Sequence, residues 1–391
     1  MSHSDSSSPQ AIPGSFSGVP IQLNVTLARQ IVSRAMKILS FSVNVMDEHG
    51  LIIASGNPER LHQRHEGAVL ALTENRVVEI SDATARELKG VRPGINLPIA
   101  YQGELLGVIG ISGDPDEVRA YAELVRMTAE LILEQAALTE QLQWDKRHKE
   151  ELVLQLIRGE GREDQLQQAA RFLGLDLAQP RVVAVLALEE ADPARLRELV
   201  HLLENPERDN LVAINGLDEI VVLKPAQLSD GIWQSEQERS RIKQLLARIP
   251  HFRVRIGVGD YFAGTGGLAR SYQTARDTLR RGMRQAPRKQ VYFFEDYRLP
   301  VLLGSLADSW QADQLRAPLH KLAQEDTKGT LQKTLRQYFL QDCDLHPCAE
   351  ALFIHPNTLR YRLTRIEQIT GLNFNKLDDK FLLYLGLNLD S

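Results

Sequence analysis

Apolar positions in the first 115 residues alternate between helical and strand spacing. Residues 24–40 carry apolar side chains at helical intervals, whereas FSVNVMDEHGLIIASG and GINLPIAYQGELLGVIGISG each predict two strands joined by a turn. The turns fall at Asp47–Gly50 and Gln102–Gly103. Helices packed on an antiparallel sheet of this size are typical of a PAS-like α+β sensory module, which we place at residues 21–115.

A long helical pattern follows at residues 116–158 and contains a leucine repeat. Leu124, Leu131 and Leu138 are seven residues apart, and Val125 and Ile132 lie beside two of them. Such a stripe is either a dimer seam or the face by which a helix packs on its own domain. The heptad spacing favours the dimer seam, although it persists for only two or three heptads.

A second α/β pattern occupies residues 159–300. The segments RVVAVLALEE, NLVAINGLDEIVVLKP and RVRIGVG predict a strand, a hairpin and a strand, with helical patterns before and after the last strand. A further helical pattern, residues 196–203, separates the first strand from the hairpin. This order is that of a ferredoxin-like domain.

From residue 301 to residue 391 every periodic segment has helical spacing. Helices are predicted over residues 310–322 and 331–340, then in HPCAEALFI, NTLRYRLTRIEQIT and KFLLYLGLNL. The chain is therefore predicted to be a multidomain α+β protein that ends in an all-α domain.

Composition and charge change this picture little outside the C-terminal region. The chain is 43% hydrophobic and 25% charged, with a net charge of -5, which is typical of a soluble globular protein. Cys343 and Cys348 are too few for a disulfide framework and fit a reducing cytoplasm. Residues 1–20 are rich in Ser, Pro and Gly and predict a disordered tail without signal-peptide features. Since no apolar run is long enough for a membrane helix, we expect a soluble intracellular protein.

Near the C-terminus, HPNTLRYRLTRI gathers cations in this acidic chain. If a helix begins at Pro356, then Leu359, Leu363 and Ile366 share one face and pack on Ala351 and Leu352 of the preceding helix. The other faces carry polar and cationic side chains. Two short helices joined by the residues FIHP have the arrangement of a helix-turn-helix.

Major-groove chemistry suits those side chains. Asn bonds adenine and Arg bonds guanine in bidentate fashion, whereas hydroxyl groups and the other guanidinium groups reach phosphates. The candidate DNA-binding residues are His355, Asn357, Thr358, Arg360, Tyr361, Arg362 and Arg365. The segment ALFIHPNTLRYRLTRIEQITG, with DLHPCAEA before it, resembles the C-terminal helix-turn-helix of PucR-type transcription factors. That family usually has Arg where this chain has Pro356, which removes one expected phosphate contact.

The N-terminal segments NVMDEHGLIIASG, RHEGA and GVRPGINLPIAYQGELLGVIGISGDP resemble the diacid-recognition domain of carbohydrate diacid regulators. The likeness extends through the middle domain to the C-terminus. It implies a cytoplasmic transcriptional activator that responds to D-glucarate, D-galactarate or D-glycerate. Independently, a dicarboxylate needs two groups of donors, and suitable guanidinium, imidazole, amide and backbone groups occur here. The candidate ligand-binding residues are Arg60 (or Arg64), His65, Glu66, Arg92, Gly94, Ile95 and Asn96.

The remaining motifs favour no catalytic site, metal or cofactor. GLDEI resembles the hairpin of GGDEF-type nucleotide cyclases, but Leu217 replaces the second glycine and the preceding strand lacks paired aspartates, so we expect a degenerate, noncatalytic domain. In GVGDYFAGTGG, Phe262 stands where a dinucleotide motif needs its third glycine. Neither the group Cys343, His346 and Cys348 nor the group His62, His65 and Glu66 has the spacing of a zinc site.

Together these features predict a ligand-responsive activator of genes for sugar diacid uptake and catabolism. Its expected partners are promoter DNA, a sugar diacid or glycerate, and a second copy of the chain, with RNA polymerase as a further candidate and no membrane. Two alternatives are a nucleotide-binding or cyclase-derived signalling protein, and a scaffold whose final helices bind protein.

Overall fold

The computed structural model describes residues 21–86, 92–189, 192–204, 208–264 and 266–389. The tail expected at residues 1–20 lies outside them. The chain forms two compact units, Met1–Lys146 and Arg147–Ser391, and the boundary falls within one long helix. In the described part of the chain, no helix is both long and apolar enough to span a bilayer.

The N-terminal unit is built on a five-stranded antiparallel sheet. Its elements are α1 (Val25–Met36), β1 (Val43–Met46), β2 (Ile52–Ser55), α2 (Glu66–Glu74), β3 (Val78–Ile80), α3 (Asp82–Ala85), β4 (Gly94–Tyr101), β5 (Glu104–Ser112) and the first part of α4 (Pro115–Arg158). The strand order is β2-β1-β5-β4-β3. The predicted PAS-like module is thus confirmed, with both hairpins turning where expected.

Two layers of side chains cover this sheet. On one face, Val43, Val45 and Ile95 pack with α1 and α4, and on the other, Met46 and Val108 pack with α2. The turn after β1 is fixed by the Asp47 carboxylate, which accepts hydrogen bonds from the backbone N–H groups of His49 and Leu51 at 3.0 and 2.9 Å. The face under α2 is the one that carries buried polar groups.

Helix α4 has 44 residues and two different apolar faces. Val125 and Ile132 are buried on the N-terminal sheet, whereas Leu124, Leu131 and Leu138 are 59%, 63% and 59% exposed. The two alternatives for this helix, packing on its own domain and forming a dimer seam, therefore concern different faces. One face holds α4 to its own domain, and the leucine repeat is left uncovered.

The middle domain has a five-stranded sheet. Its elements are α5 (Glu163–Phe172), β6 (Arg181–Leu188), α6 (Pro193–Leu203), β7 (Leu211–Ile214), β8 (Glu219–Pro225), β9 (Leu228–Ser229), β10 (Ile232–Trp233), α7 (Ser235–Arg248), β11 (Val254–Val258), α8 (Gly267–Gln285) and β12 (Val291–Phe293). The strand order of the sheet is β12-β11-β6-β8-β7. The four strands β11-β6-β8-β7 are the predicted ferredoxin-like core. The sequence pattern missed β12, which pairs parallel to β11, and the short hairpin of β9 and β10.

Helices cover both faces of the middle sheet. Apolar side chains of α6 and α7, such as Leu199 and Ile242, pack with alternate residues of β6 on one face. Tyr272, Ala275 and Leu279 of α8 pack on the other face, together with the end of α4. Helices α7 and α8 are therefore on opposite sides of the sheet.

The C-terminal region is all helical, as predicted. It consists of α9 (Arg298–Gly304), α10 (Trp310–Glu325), α11 (Thr330–Leu340), α12 (Leu345–Ala351), α13 (Pro356–Thr370) and α14 (Leu377–Leu389). Helices α10 to α14 enclose one core, to which α13 contributes Leu359, Leu363 and Ile366. Helix α12 is shorter than the pattern predicted because Phe353, with a φ of 57°, turns the chain before α13.

Candidate functional site

Three deeply buried polar side chains lie close to α2 in the N-terminal unit. Arg60 ends the 3-10 helix Pro58–Arg60, His65 immediately precedes α2, and Asn96 lies within β4. Their side chains are 7%, 7% and 3% exposed. A Cβ atom on Gly67 would lie 2.8 Å from Asn96 Nδ2 and 3.1 Å from His65 Cε1. The absence of a side chain at Gly67 therefore lets the imidazole and the amide approach the same small space.

His65 caps α2 with its ring in the neutral form. Its Nδ1 atom accepts a hydrogen bond from the backbone N–H of Ala68 at 3.2 Å, which leaves the proton of the neutral ring on Nε2. Burial, and then the charge of Arg60, lower the pKa of His65 to about 4. At neutral pH the ring is thus a hydrogen-bond donor through Nε2 and carries no charge.

Two buried asparagines on this face are paired differently. Asn44, Gly110 and Asn96 form one row across β1, β5 and β4. The Asn44 Oδ1 atom accepts a hydrogen bond from Ser55 Oγ at 2.6 Å. Among the described residues the Asn96 amide has no hydrogen-bond partner, and its Oδ1 atom is fully buried. Because a buried amide is normally paired, Asn96 is the group here that most needs a ligand.

Like charges meet at the edge of this cluster. Burial, and then the charge of Arg92, lower the pKa of Arg60. Arg92 is exposed and lies two residues before β4. A buried guanidinium beside a second one is stabilised by any anion that approaches both. The arrangement is therefore suited to a carboxylate.

The other predicted ligand residues are placed less favourably. Glu66 is exposed in the first turn of α2. The backbones of Gly94 and Ile95 are paired with both β3 and β5, so their N–H groups belong to the sheet rather than to an open donor site. The Ile95 side chain is in the core on the opposite face. No local pattern indicated Asn44 or Gly110, whose position in this row depends on strand pairing.

The helix-turn-helix has a buried and an exposed side. Leu359 and Ile366 are fully buried and Leu363 is 7% exposed, as their spacing predicted. On α12 the buried residues are Cys348 and Ala349, and Leu352 packs on this core as expected, whereas Ala351 is exposed and is not a packing partner. The ring of His355 caps α13 because its Nδ1 atom accepts a hydrogen bond from the Asn357 N–H at 3.2 Å.

The DNA-binding candidates on α13 differ in how far they are exposed. Asn357, Thr358, Arg360 and Tyr361 are exposed, and Arg360 donates to Asn357 Oδ1 at 3.1 Å. Arg362 is half-buried and donates to Thr334 Oγ1 at 3.3 Å. The first turns of α13 are therefore the part most open to base edges.

Farther along α13, Arg365 is exposed but forms an ion pair within the protein. Its guanidinium lies 2.9 Å from the carboxylate of Glu325 on α10. Sequence reasoning also missed Phe353, which is 96% exposed in the turn between α12 and α13. An apolar residue such as Phe353 is normally expected to be buried, so its exposure could not be predicted from the sequence. The exposure follows from the turn between α12 and α13.

In the middle domain, the hairpin that resembles a cyclase motif is closed by hydrogen bonds. The Glu219 carboxylate accepts from Tyr272 Oη at 2.9 Å and from Asn215 Nδ2 at 2.7 Å. Burial and the bond to Glu219 raise the pKa of Tyr272 to about 12. Leu217, in the place of the second glycine, is 86% exposed. Of the two acidic side chains of the hairpin, Glu219 is thus used within the fold, whereas Asp218 is exposed.

Neither group of metal-ligand side chains considered from the sequence forms a site. No group of three or more His, Cys, Asp or Glu residues suitable for a metal ion occurs in the described ranges. Cys348 is buried, and that burial raises the pKa of its thiol. His346 is exposed and lies 3.3 Å from Glu350.

Comparison with known protein families divides the chain into three parts. A family model for sugar diacid recognition matches residues 23–156. A model for the GGDEF-like domain matches residues 158–281, and one for the PucR C-terminal helix-turn-helix domain matches residues 331–389.

Individual relatives match different shares of the chain. The carbohydrate diacid regulator of Escherichia coli is 47% identical over 94% of this chain and 98% of its own length. An uncharacterized protein of Haemophilus influenzae is 48% identical over 95% of this chain and 100% of its own length. The DNA-binding transcriptional activator AdeR of Bacillus subtilis is 25% identical over 58% of this chain and 56% of its own length.

Proposed function

Because the chain belongs to the carbohydrate diacid regulator family, with a PucR-type helix-turn-helix, we propose that it is a DNA-binding transcription activator controlled by a hydroxylated sugar acid. D-Glucarate, D-galactarate and D-glycerate are the candidate effectors, and the controlled genes serve uptake and catabolism of these acids. It acts in the cytoplasm, where promoter DNA and RNA polymerase are found. The observation that carries the ligand assignment is the buried, unpaired amide of Asn96.

The polar cluster supports a ligand with both carboxylate and hydroxyl groups. Arg60 and Arg92 offer charge for a carboxylate, and the first N–H groups of α2 offer a second anion site. A carboxylate cannot satisfy the Asn96 Oδ1 atom, because that oxygen needs a donor. A hydroxyl donates to Asn96 and accepts from His65 Nε2. The site therefore favours a hydroxylated acid over a plain dicarboxylate.

The leucine repeat of α4 supports a dimer. Tyr121, Leu124, Leu131, Leu138 and Leu142 follow the spacing of two core positions in a heptad, and each is at least 42% exposed. The same helix of a second copy covers this face with matching side chains. A dimer also places two α13 helices on DNA, since one short helix reads only a few base pairs.

The middle domain is proposed to be noncatalytic. Glu219 is hydrogen-bonded to Tyr272 and Asn215. Among the described residues, no three or more His, Cys, Asp or Glu side chains form a group that could hold a metal ion. Incubation with GTP and magnesium that yielded a cyclic product would contradict this assignment and favour the cyclase alternative.

A panel of effectors tests the ligand assignment. We expect D-glucarate, D-galactarate or D-glycerate to raise the melting temperature, and adipate, which lacks hydroxyl groups, to raise it less. Arg60→Ala should abolish the shift, whereas Arg64→Ala, a matched change at a neighbouring exposed residue, should retain it. No shift with any hydroxylated acid would refute the assignment.

A second experiment tests the DNA-binding surface. Asn357→Ala should remove sequence preference, with a loss of roughly 1–3 kcal/mol on the preferred site, because Asn bonds adenine in the major groove. Thr364→Ala, an exposed change later on α13, is the control. A wild-type protein without preference for any promoter fragment at moderate salt would contradict the function itself.

A further inference from the structure

Helix α8 and the residues after it carry a large excess of positive charge. Residues 267–290 contain seven Lys or Arg side chains and one acid, Asp277, although the whole chain has 46 basic and 51 acidic residues. Residues 345–371, which include the helix-turn-helix, contain three arginines and two glutamates. The helix with the DNA-reading residues is thus less cationic than α8.

The cations of α8 form one exposed face. Arg276, Arg280 and Arg284 recur every four residues and are exposed, and Arg288 and Lys289 continue the face beyond the end of the helix. The opposite side of α8 is buried on the middle sheet. Four residues of helix advance about 6 Å, close to the roughly 6.8 Å that two nucleotides of one strand advance along the axis of duplex DNA.

Little within the protein neutralises this face. Arg280 lies 3.9 Å from Asp277, whereas Arg276, Arg284 and Arg288 have no salt bridge among the described residues. Like charges four residues apart destabilise a helix slightly. Burial, and then Arg284, lower the pKa of Arg281. The charges of Arg276, Arg284 and Arg288, which no salt bridge neutralises in the described part of the chain, indicate an anion from outside it.

The position of α8 favours DNA as that anion. Helix α8 packs on α9, where Arg281 donates to the Pro300 carbonyl at 3.2 Å, and α9 packs on α14 of the C-terminal helices. All these elements belong to the compact unit Arg147–Ser391. We propose that the exposed face of α8 binds backbone phosphates of promoter DNA flanking the bases read by α13. The middle domain is then a second, sequence-independent DNA contact, and this inference rests on the DNA-binding function proposed above.

The matched experiment changes three charges on each side of the middle sheet. One variant is Arg276→Gln/Arg280→Gln/Arg284→Gln on α8, and its control is Arg241→Gln/Lys243→Gln/Arg248→Gln on exposed positions of α7. Full-length proteins are titrated with duplexes that wild type selects from a random 20-base-pair library held between fixed flanks. Each selected duplex is used with its flanks and trimmed to the core, and binding is followed by fluorescence anisotropy at 50 to 200 mM KCl.

Loss of three phosphate contacts should reduce the salt slope by about 2.7. On the flanked duplex, wild type should therefore lose about 40-fold more affinity than the α8 variant over this salt range. The α7 control should keep the wild-type slope, base preference should be unchanged in all three proteins, and the trimmed duplex should abolish the difference. A lysine variant, Arg276→Lys/Arg280→Lys/Arg284→Lys, should keep the wild-type slope, which separates charge from folding.

Equal slopes for the α8 variant and the α7 control would overturn the inference. If wild type still prefers its selected duplex and Asn357→Ala removes that preference, such a result leaves the DNA-binding function intact. A wild-type protein that selects no duplex overturns both. A lysine variant that binds as weakly as the glutamine variant also overturns the inference, because an electrostatic contact tolerates that exchange.

Discussion

Replacing Asn96 with leucine should stabilise the ligand-free protein and weaken effector binding. The Asn96 Oδ1 atom is buried without a partner, and such a group costs about 1–3 kcal/mol relative to an apolar group of similar shape. Leucine has the same branching as asparagine, and at Gly67 and Gly110 the Asn96 amide meets glycines without side chains. We therefore expect Asn96→Leu to raise the free energy of unfolding by about 1–3 kcal/mol and to lower effector affinity by a similar amount.

Asn44 provides the matched control in the same row of the sheet. It is 2% exposed, but its amide oxygen is bonded to Ser55 Oγ. Asn44→Leu breaks that bond, so it should destabilise the protein by about 1 kcal/mol. Denaturant unfolding without ligand and calorimetric titration with the effector measure both quantities. If Asn96→Leu destabilises the ligand-free protein as Asn44→Leu does, the amide is structural and the reasoning about a ligand is refuted.

Three further predictions concern other residues. The pKa of His65 is about 4 in the fold, below the 6.5 of a free imidazole, so its contribution to stability is full above pH 6.5 and is lost as pH falls towards 4, at about 1.4 kcal/mol per pH unit. Relative to His65→Asn, which retains a cap, wild type should lose about 3 kcal/mol in denaturant unfolding between pH 7.5 and 4, and parallel profiles would contradict the pKa. Leu131→Lys should shift sedimentation towards the monomer, whereas Gln143→Lys should not, and a monomeric wild type would exclude the seam. Tyr272→Phe should lower the free energy of unfolding by about 2 kcal/mol, because it removes the bond to Glu219, and unchanged stability would show that this bond does not hold the hairpin.

Local patterns in the sequence were sufficient for the helix-turn-helix. Leu359, Leu363 and Ile366 are separated by intervals that depend only on helix geometry, so their common burial follows from spacing. The pairing of Arg365 with Glu325 could not be predicted in this way, because the two residues are 40 positions apart and meet only when α10 packs on α13.

The proposed effector site was less predictable because it depends on strand pairing. Gly94, Ile95 and Asn96 are adjacent in sequence, but successive side chains of a strand point to opposite faces, so only Asn96 can join His65. The row of Asn44, Gly110 and Asn96 requires the register of three strands, of which β1 is distant in sequence from β4 and β5. Sequence alone therefore predicted this region and included Asn96, but it could not show that the Asn96 amide is buried without a partner in the described part of the chain.

The location of Asn96 also gives the proposed effector site a physical connection to α4. In the ladder, Glu79 of β3 is opposite Ile95, the residue before Asn96. The Glu79 carboxylate accepts two hydrogen bonds from Arg119 in the first turns of α4, both at 2.9 Å, and these bonds lower the pKa of Glu79. Because the ion pair of Glu79 and Arg119 is exposed, it contributes little stability. It therefore favours one placement of α4 without preventing others. An effector that binds one placement of β3 and β4 more tightly than another shifts the population of α4 placements by that difference in affinity and no more.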